Sequence, residues 1–179
     1  HNISLINKNP FNAEVGAITE NIKIKDICVE ENRSFNYHIL KPVETGNSKK
    51  LIFLFHGFNE KDWTKYLPWA ERICKGTGSS VILFPIAFHM QRAPKNWSNK
   101  REMYELSEKR KKRFPNIVNS SFSNVAISMR LHSMPQRFIW SGLQTYYDVI
   151  QLIEECKAGK HSYISKDFEF DIFAYSIGG

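Results

Sequence analysis

Two uninterrupted apolar runs constrain the fold of this chain more than any other feature of its sequence. LIFLF occupies 51–55 and SVILFPI occupies Ser80–Ile86. A strand that is apolar on both faces is typical of a parallel sheet with helices on both sides, because neither face meets water. Pro68 and Gly76 bracket the segment between the runs, which predicts a helix there. The sequence therefore predicts a strand, helix, strand unit with parallel strands.

The flanking segments extend this unit. Alternating polar and apolar residues at Asn21–Glu30, and again at Ser34–Lys41, predict an antiparallel strand pair. From Phe138 onward apolar residues recur at spacings of three and four, which predicts a helix of about twenty residues. Asp167–Tyr175 is predicted to be a final strand. The predicted fold class is thus α/β, with a mostly parallel sheet and antiparallel N-terminal strands.

Residues 87–137 interrupt this alternation and are predicted to be an insertion or cap within a single partial domain that spans 1–179. Residues 91–113 hold nine Lys or Arg against three Glu, out of a formal net charge of +7, and the centre of the segment is predicted to be helical. A basic run at the end of a glutamate-bearing helix is typical of a solvated face, so nucleic acid is not the favoured partner. A nucleic-acid-binding domain is kept as an alternative that predicts salt-sensitive affinity.

Composition excludes several classes of protein. Hydrophobic residues make up 42% and charged residues 24% of the chain, as in soluble globular proteins. The longest apolar run, 81–88, is far shorter than the roughly twenty residues of a membrane-spanning helix. No Cys or His spacing matches a metal site, so neither a metal nor a cofactor is predicted. The three widely spaced cysteines slightly favour a cytoplasmic location, and they are also compatible with a signal peptide that has been cleaved.

The segment that carries chemistry is Ala174-Tyr175-Ser176-Ile177-Gly178, directly after the last predicted strand. Small-x-Ser-x-small at a strand end is the pattern of a nucleophile elbow, in which a strained turn exposes the serine hydroxyl at the edge of the sheet. Larger residues at the two small positions would clash with neighbouring strands. We therefore predict Ser176 as a catalytic nucleophile. The alternatives are an ordinary turn rich in small residues and a phosphate-binding loop, which lacks the expected glycine and lysine here.

Acyl transfer also needs hydrogen-bond donors for the developing oxyanion, each typically contributing about a hundred- to a thousandfold in rate. The backbone N–H of Ile177 is one predicted donor. The run at 51–55 ends in His-Gly, which makes the N–H of Phe58 the second predicted donor and Asn59 its substitute.

Three further side chains are predicted to line the site, namely His56, His89 and Tyr175. A histidine in such a turn more often packs or hydrogen-bonds locally, and a loop histidine such as His89 is more often solvated. Neither histidine is therefore predicted to be the catalytic base.

HGFNE at 56–60, VILFP at 81–85 and FAYSIGG at 173–179 resemble the α/β-hydrolase superfamily. Members place an oxyanion residue after the third strand and the nucleophile after the fifth, and the predicted strand count agrees. Ala174 departs from the commoner glycine. The resemblance implies an α/β-hydrolase-type fold, incomplete within these 179 residues. It also implies a serine hydrolase that cleaves carboxylic esters or related small acyl substrates through an acyl-enzyme.

The family order places an acid and a histidine after the serine, whereas this sequence ends three residues past Ser176. We therefore expect further chain or a second polypeptide to supply both groups and to cover an apolar sheet edge. The alternative is a noncatalytic α/β-hydrolase-like binding protein or an inactive fragment. The resemblance also implies that the insertion caps an acyl pocket shaped by Trp97, Met103, Tyr104 and Leu106.

Overall fold

The computed structural model of the chain shows an α/β fold built on one mixed sheet. It describes residues 1–6, 29–43, 46–117, 119–131 and 136–179. The strands are β1 (Asn2–Ile6), β2 (Ser34–Leu40), β3 (Ser48–Phe55), β4 (Ser80–Phe84) and β5 (Ile164–Ala174). The helices are α1 (Glu30–Arg33), α2 (Leu67–Thr77), α3 (Lys100–Arg113), α4 (Phe122–Leu131) and α5 (Gln136–Lys157). The strands lie in the order β1-β2-β4-β3-β5.

The antiparallel part of the sheet is formed by β2 and its two neighbours. β2 confirms the strand predicted at Ser34–Lys41, and it pairs antiparallel with β1 and with β4. The partner strand predicted at Asn21–Glu30 lies outside the described residues except for its last two positions, of which Glu30 begins α1. Among the described strands the outer neighbour of β2 is β1. The alternating stretch of β1, NISLI, spans five residues, which is too short to be a clear strand signal in the sequence.

The parallel part of the sheet is formed by β3, β4 and β5, as the apolar runs predict. Every residue of β4 is buried, because side chains of α5 pack on one face of the sheet and side chains of α2 pack on the other. Two of the four strand pairings are parallel and two are antiparallel. The sheet is therefore mixed, rather than mostly parallel as predicted.

The two helices that cover the sheet begin and end close to their predicted limits. α2 contains Pro68 in its first turn. The predicted end at Gly76 is corrected, because Gly76 lies within the helix and Gly78 follows its last residue with a φ of 68°. The glycine caps the helix in the left-handed conformation, which costs a residue without a Cβ little. α5 has 22 residues and confirms the amphipathic helix predicted from Phe138 onward. Gly159, with a φ of 71°, follows its last turn.

The predicted insertion folds into two short 3-10 turns, Met90–Arg92 and Lys95–Ser98, followed by α3 and α4. Its apolar side chains form a cluster with Val29, in which Trp97 and Met103 are each 1% exposed. These two side chains therefore lie inside the segment and do not line an open pocket. No helix in the described part of the chain is long and apolar enough to cross a membrane.

Candidate active site at the ends of β3 and β5

The pairing of β3 with β5 brings the two predicted functional turns together. The strands are parallel neighbours with Phe55 opposite Ala174, and the pairing continues past the strand ends through a hydrogen bond of 3.2 Å from the N–H of Tyr175 to the carbonyl of Phe55. Because parallel strands end at the same edge of a sheet, the turn at 56–59 and the turn at 176–179 leave the sheet side by side. This edge is where ligands approach open α/β sheets.

Ser176 lies in a strained and exposed turn. Its φ is 58°, in the left-handed region that a side chain disfavours, at a typical cost of about 1–3 kcal/mol. It begins a single 3-10 turn, closed by hydrogen bonds from Gly178 N–H to Tyr175 and from Gly179 N–H to Ser176 of 3.1 and 3.2 Å. The residue itself is exposed. The hydroxyl is therefore presented to solvent at the end of a fixed strand.

Two glycines let the turns touch. A Cβ on Gly178 would lie 2.6 Å from the Cβ of Phe55 and 3.1 Å from the carbonyl oxygens of Phe55 and His56. A Cβ on Gly57 would lie 2.9 Å from the ring of Tyr175. Carbon atoms in contact normally keep about 3.5–4.0 Å. A small residue was predicted two positions after the serine because a larger one would clash with a neighbouring strand. At Gly178 this is so, because the backbone of the turn packs directly against β3.

Both predicted oxyanion donors lie at these turns. The Phe58 and Ile177 amides have no hydrogen-bond partner among the residues that the structure describes, and both residues are half-buried. The amide of Gly57, next to Phe58 in the chain, already donates a hydrogen bond of 2.7 Å to the Tyr66 hydroxyl, so it is not a candidate donor. Asn59, the predicted substitute, is exposed and has a φ of 60°.

A network around Tyr66 fixes the turn after β3, and the sequence did not predict it. The Tyr66 hydroxyl accepts from Gly57 and donates to the Glu60 carboxylate at 3.0 Å, which also binds Lys65 at 2.9 Å. Burial raises the pKa of Glu60, but the hydrogen bonds from Lys65 and Tyr66 outweigh it and hold this pKa below its ordinary value. The Lys65 ammonium lies 4.4 Å from the ring centre of Tyr175, so the network joins the two turns.

His56 serves as a structural bridge between β3 and β4. It is fully buried, and its Nε2 accepts a hydrogen bond of 3.0 Å from the N–H of Ile86. This bond fixes the tautomer, so Nδ1 carries the proton and donates to the Gly57 carbonyl at 2.8 Å. Since both ring nitrogens bind backbone groups, His56 is not placed to take a proton from Ser176.

The other two predicted lining residues differ in position. His89 is 1% exposed, its Nδ1 is 2.8 Å from the Ala87 carbonyl, and its ring packs 5.5 Å from that of Phe58. It is therefore buried rather than solvated, and it packs against the turn after β3. Tyr175 is 41% exposed and packs against Trp69 at a ring distance of 5.5 Å.

A buried ion pair lies at the start of the insertion, between the turn Met90–Arg92 and α5. Arg92 and Asp148 have side chains that are 0% and 2% exposed, with Arg92 Nη2 2.5 Å from Asp148 Oδ2. Arg92 also donates to the Pro85 carbonyl and to Asn32. Burial lowers the pKa of Arg92 to about 10, so the guanidinium stays protonated at neutral pH. The pair ties the insertion to α5.

An apolar surface continues from the Ser176 turn along the unpaired edge of β5. A groove of about 350 Å³ is lined by Phe55, Ile86, Tyr146, Val149, Ile172 and Ile177, among others. Ile172 is 60% and Tyr146 59% exposed. Within the described residues β5 pairs only with β3, and no group of three or more metal-ligating side chains occurs there.

Comparison with known proteins assigns the chain to a family whose function is unknown. Neither curated proteins nor solved structures gave a significant match to the chain. A family model described as "Family of unknown function (DUF6051)" matches residues 4–179, nearly the whole sequence. The chain belongs to this family, DUF6051.

Proposed function

We propose that this chain carries the nucleophile half of a serine hydrolase with an α/β-hydrolase-type sheet, acting on carboxylic esters or related acyl compounds. The observation that carries the proposal is the parallel pairing of Phe55 with Ala174, which sets Ser176 beside the turn that contains Phe58. A left-handed, exposed serine directly after β5 supports the same assignment, because a nucleophile elbow requires a strained turn at the end of a strand.

In this proposal the Ser176 hydroxyl attacks the acyl carbonyl, and the N–H groups of Phe58 and Ile177 donate to the oxyanion that forms. The alcohol or other leaving group departs with a proton, and water then releases the acyl group from the serine. A histidine must accept the serine proton in the first step and return it to the leaving group.

That histidine and its acid are proposed to come from further chain or from a second polypeptide. In the described part of the chain no histidine hydrogen-bonds to Ser176, and His56 is committed to backbone groups. The exposed apolar surface at Ile172 and Tyr146 supports the same idea, because a completing segment would bury it beside the nucleophile.

A fluorophosphonate probe tests the proposal, with intact-mass spectrometry of the complete natural protein before and after treatment. We expect one stoichiometric adduct, lost in Ser176→Ala. The matched control is Ser162→Ala, because Ser162 is also exposed but precedes β5 at the opposite end of the strand, and this variant should label as the natural protein does. Labelling that persists in Ser176→Ala would contradict the assignment.

A noncatalytic binding protein is the second candidate, favoured by the engagement of both His56 ring nitrogens. It predicts a folded protein with no adduct at all. The same experiment therefore separates the two functions.

A further inference from the structure

The end of the α3–α4 hairpin carries a concentrated positive charge. α3 finishes in five consecutive cations, Lys109–Arg113. Between Lys109 and Tyr147 the sequence has seven Lys or Arg and no Asp or Glu. A surface of one sign attracts a partner of the opposite sign over distances of about 10 Å at ordinary ionic strength.

The acidic residues of α3 do not neutralise this end. Glu105 pairs with Arg101 at 3.1 Å, one turn from the start of the helix, and Glu108 pairs with Lys111 at 2.8 Å. Across the described residues no ion pair reaches Lys112 or Arg113, both of which are exposed. Of the last turn, only Lys111 is therefore balanced by a carboxylate.

Apolar side chains project beside these cations. Phe114 is 50%, Ile117 40% and Phe122 43% exposed, in the turn between the helices and at the first residue of α4. Single exposed apolar residues are ordinary, but here three of them adjoin the unbalanced cations. We call Lys112, Arg113, Phe114, Ile117 and Phe122 the basic tip.

We propose that the basic tip docks the protein peripherally on anionic phospholipid membranes. Cationic side chains would bind the lipid headgroups, and the apolar side chains would enter the boundary between headgroups and acyl chains, as in amphipathic interfacial segments. A membrane fits better than a nucleic acid. The residues from Lys112 to Ile117 are consecutively exposed. Phe114 and Phe122 could stack on bases, but the aliphatic Ile117 could not, whereas a membrane interface accounts for all three apolar side chains.

Vesicle co-sedimentation of the full protein tests the proposal. Phosphatidylcholine vesicles that contain phosphatidylserine should bind it, and pure phosphatidylcholine vesicles should bind it far less. The double variant Lys112→Ser/Arg113→Ser should bind about thirtyfold more weakly, since each Lys or Arg near an anionic membrane contributes about 1 kcal/mol. The matched control is Lys49→Ser/Lys50→Ser, which removes the same charge from exposed positions in β3.

A second variant separates a membrane from a nucleic acid. The apolar variant Ile117→Ser keeps every cation and every ring, so it should weaken vesicle binding and leave any RNA binding unchanged. The proposal is overturned if the protein ignores anionic vesicles, if the control pair weakens binding as much as the tip pair, or if the apolar variant binds vesicles normally. Preferential binding to RNA that the apolar variant retains would replace the membrane with a nucleic acid. None of these readouts depends on hydrolase activity.

Discussion

Replacing Arg92 by methionine tests whether the buried ion pair with Asp148 holds the insertion against the sheet. The guanidinium is fully buried, donates to Asp148, Asn32 and the Pro85 carbonyl, and lies 3.7 Å from the ring centre of Phe35. Its removal would leave the Asp148 carboxylate buried, where it accepts a hydrogen bond of 2.7 Å from Gln144.

Removing one partner of a buried pair typically costs about 3–5 kcal/mol, because the other charge is left uncompensated. For a chain of this size that corresponds to a fall in Tm on the order of 10 °C. Burial raises the pKa of Asp148, although Arg92 opposes this. The loss of Arg92 should therefore raise this pKa further.

Urea unfolding followed by far-UV circular dichroism measures the free energy of unfolding for Arg92→Met, Asp148→Leu and the double variant. The double variant should cost less than the sum of the single ones, because it removes both charges from the interior. Lys75→Met is the control, since the Lys75 and Glu71 pair is exposed and such pairs contribute about 0–1 kcal/mol. Additive costs, or an Arg92→Met cost no larger than that of the control, would refute the reasoning.

Two further predictions concern the turn at Ser176 and the opposite end of the sheet. Gly178→Ala places a Cβ 2.6 Å from that of Phe55 and should destabilise the protein by about 1–3 kcal/mol and abolish fluorophosphonate labelling. Gly142→Ala, in α5 with open space around it, should label normally, so equal labelling of the two variants would argue against the steric role. Burial lowers the pKa of His161, whose Nε2 lies 2.9 Å from the Tyr37 hydroxyl and whose Nδ1 accepts from a backbone N–H. The unfolded chain then binds the proton more tightly, so stability should be complete above about pH 6.5 and fall as pH drops from there to the folded value. The urea midpoint should change less with pH across this range in His161→Gln than in the natural protein. An equal dependence of the midpoint on pH in the two proteins would contradict the assignment.

Much of the fold followed from local patterns, and the misses have physical causes. The runs at 51–55 and Ser80–Ile86 gave the inner strands correctly because burial on both faces leaves no polar position. The partner of β2 could not be predicted, because an alternating pattern marks a strand without choosing its partner. Among the described residues β1 pairs with β2, and that choice depends on pairing between distant segments.

The site shows the same division. The positions of the serine turn and of the turn after β3 could be predicted from short motifs, because their small residues directly follow segments whose patterns predict strands. Tyr66 could not, since a tyrosine ahead of a proline is an ordinary helix start. The Tyr66 hydroxyl accepts from the Gly57 amide only because the packing of α2 on the sheet brings the two residues together.

The sequence by itself determined where the inner strands β3 and β4 and the covering helices α2 and α5 form, because period and apolar content are local properties that decide which face can be buried. Only the tertiary structure decided that β3 lies between β4 and β5, since strand order depends on contacts between residues far apart in the chain. That order sets Ser176 beside Phe58 and commits His56 to the backbone of Ile86. It also leaves one edge of β5 unpaired within the described residues, because β5 is the last strand in that order.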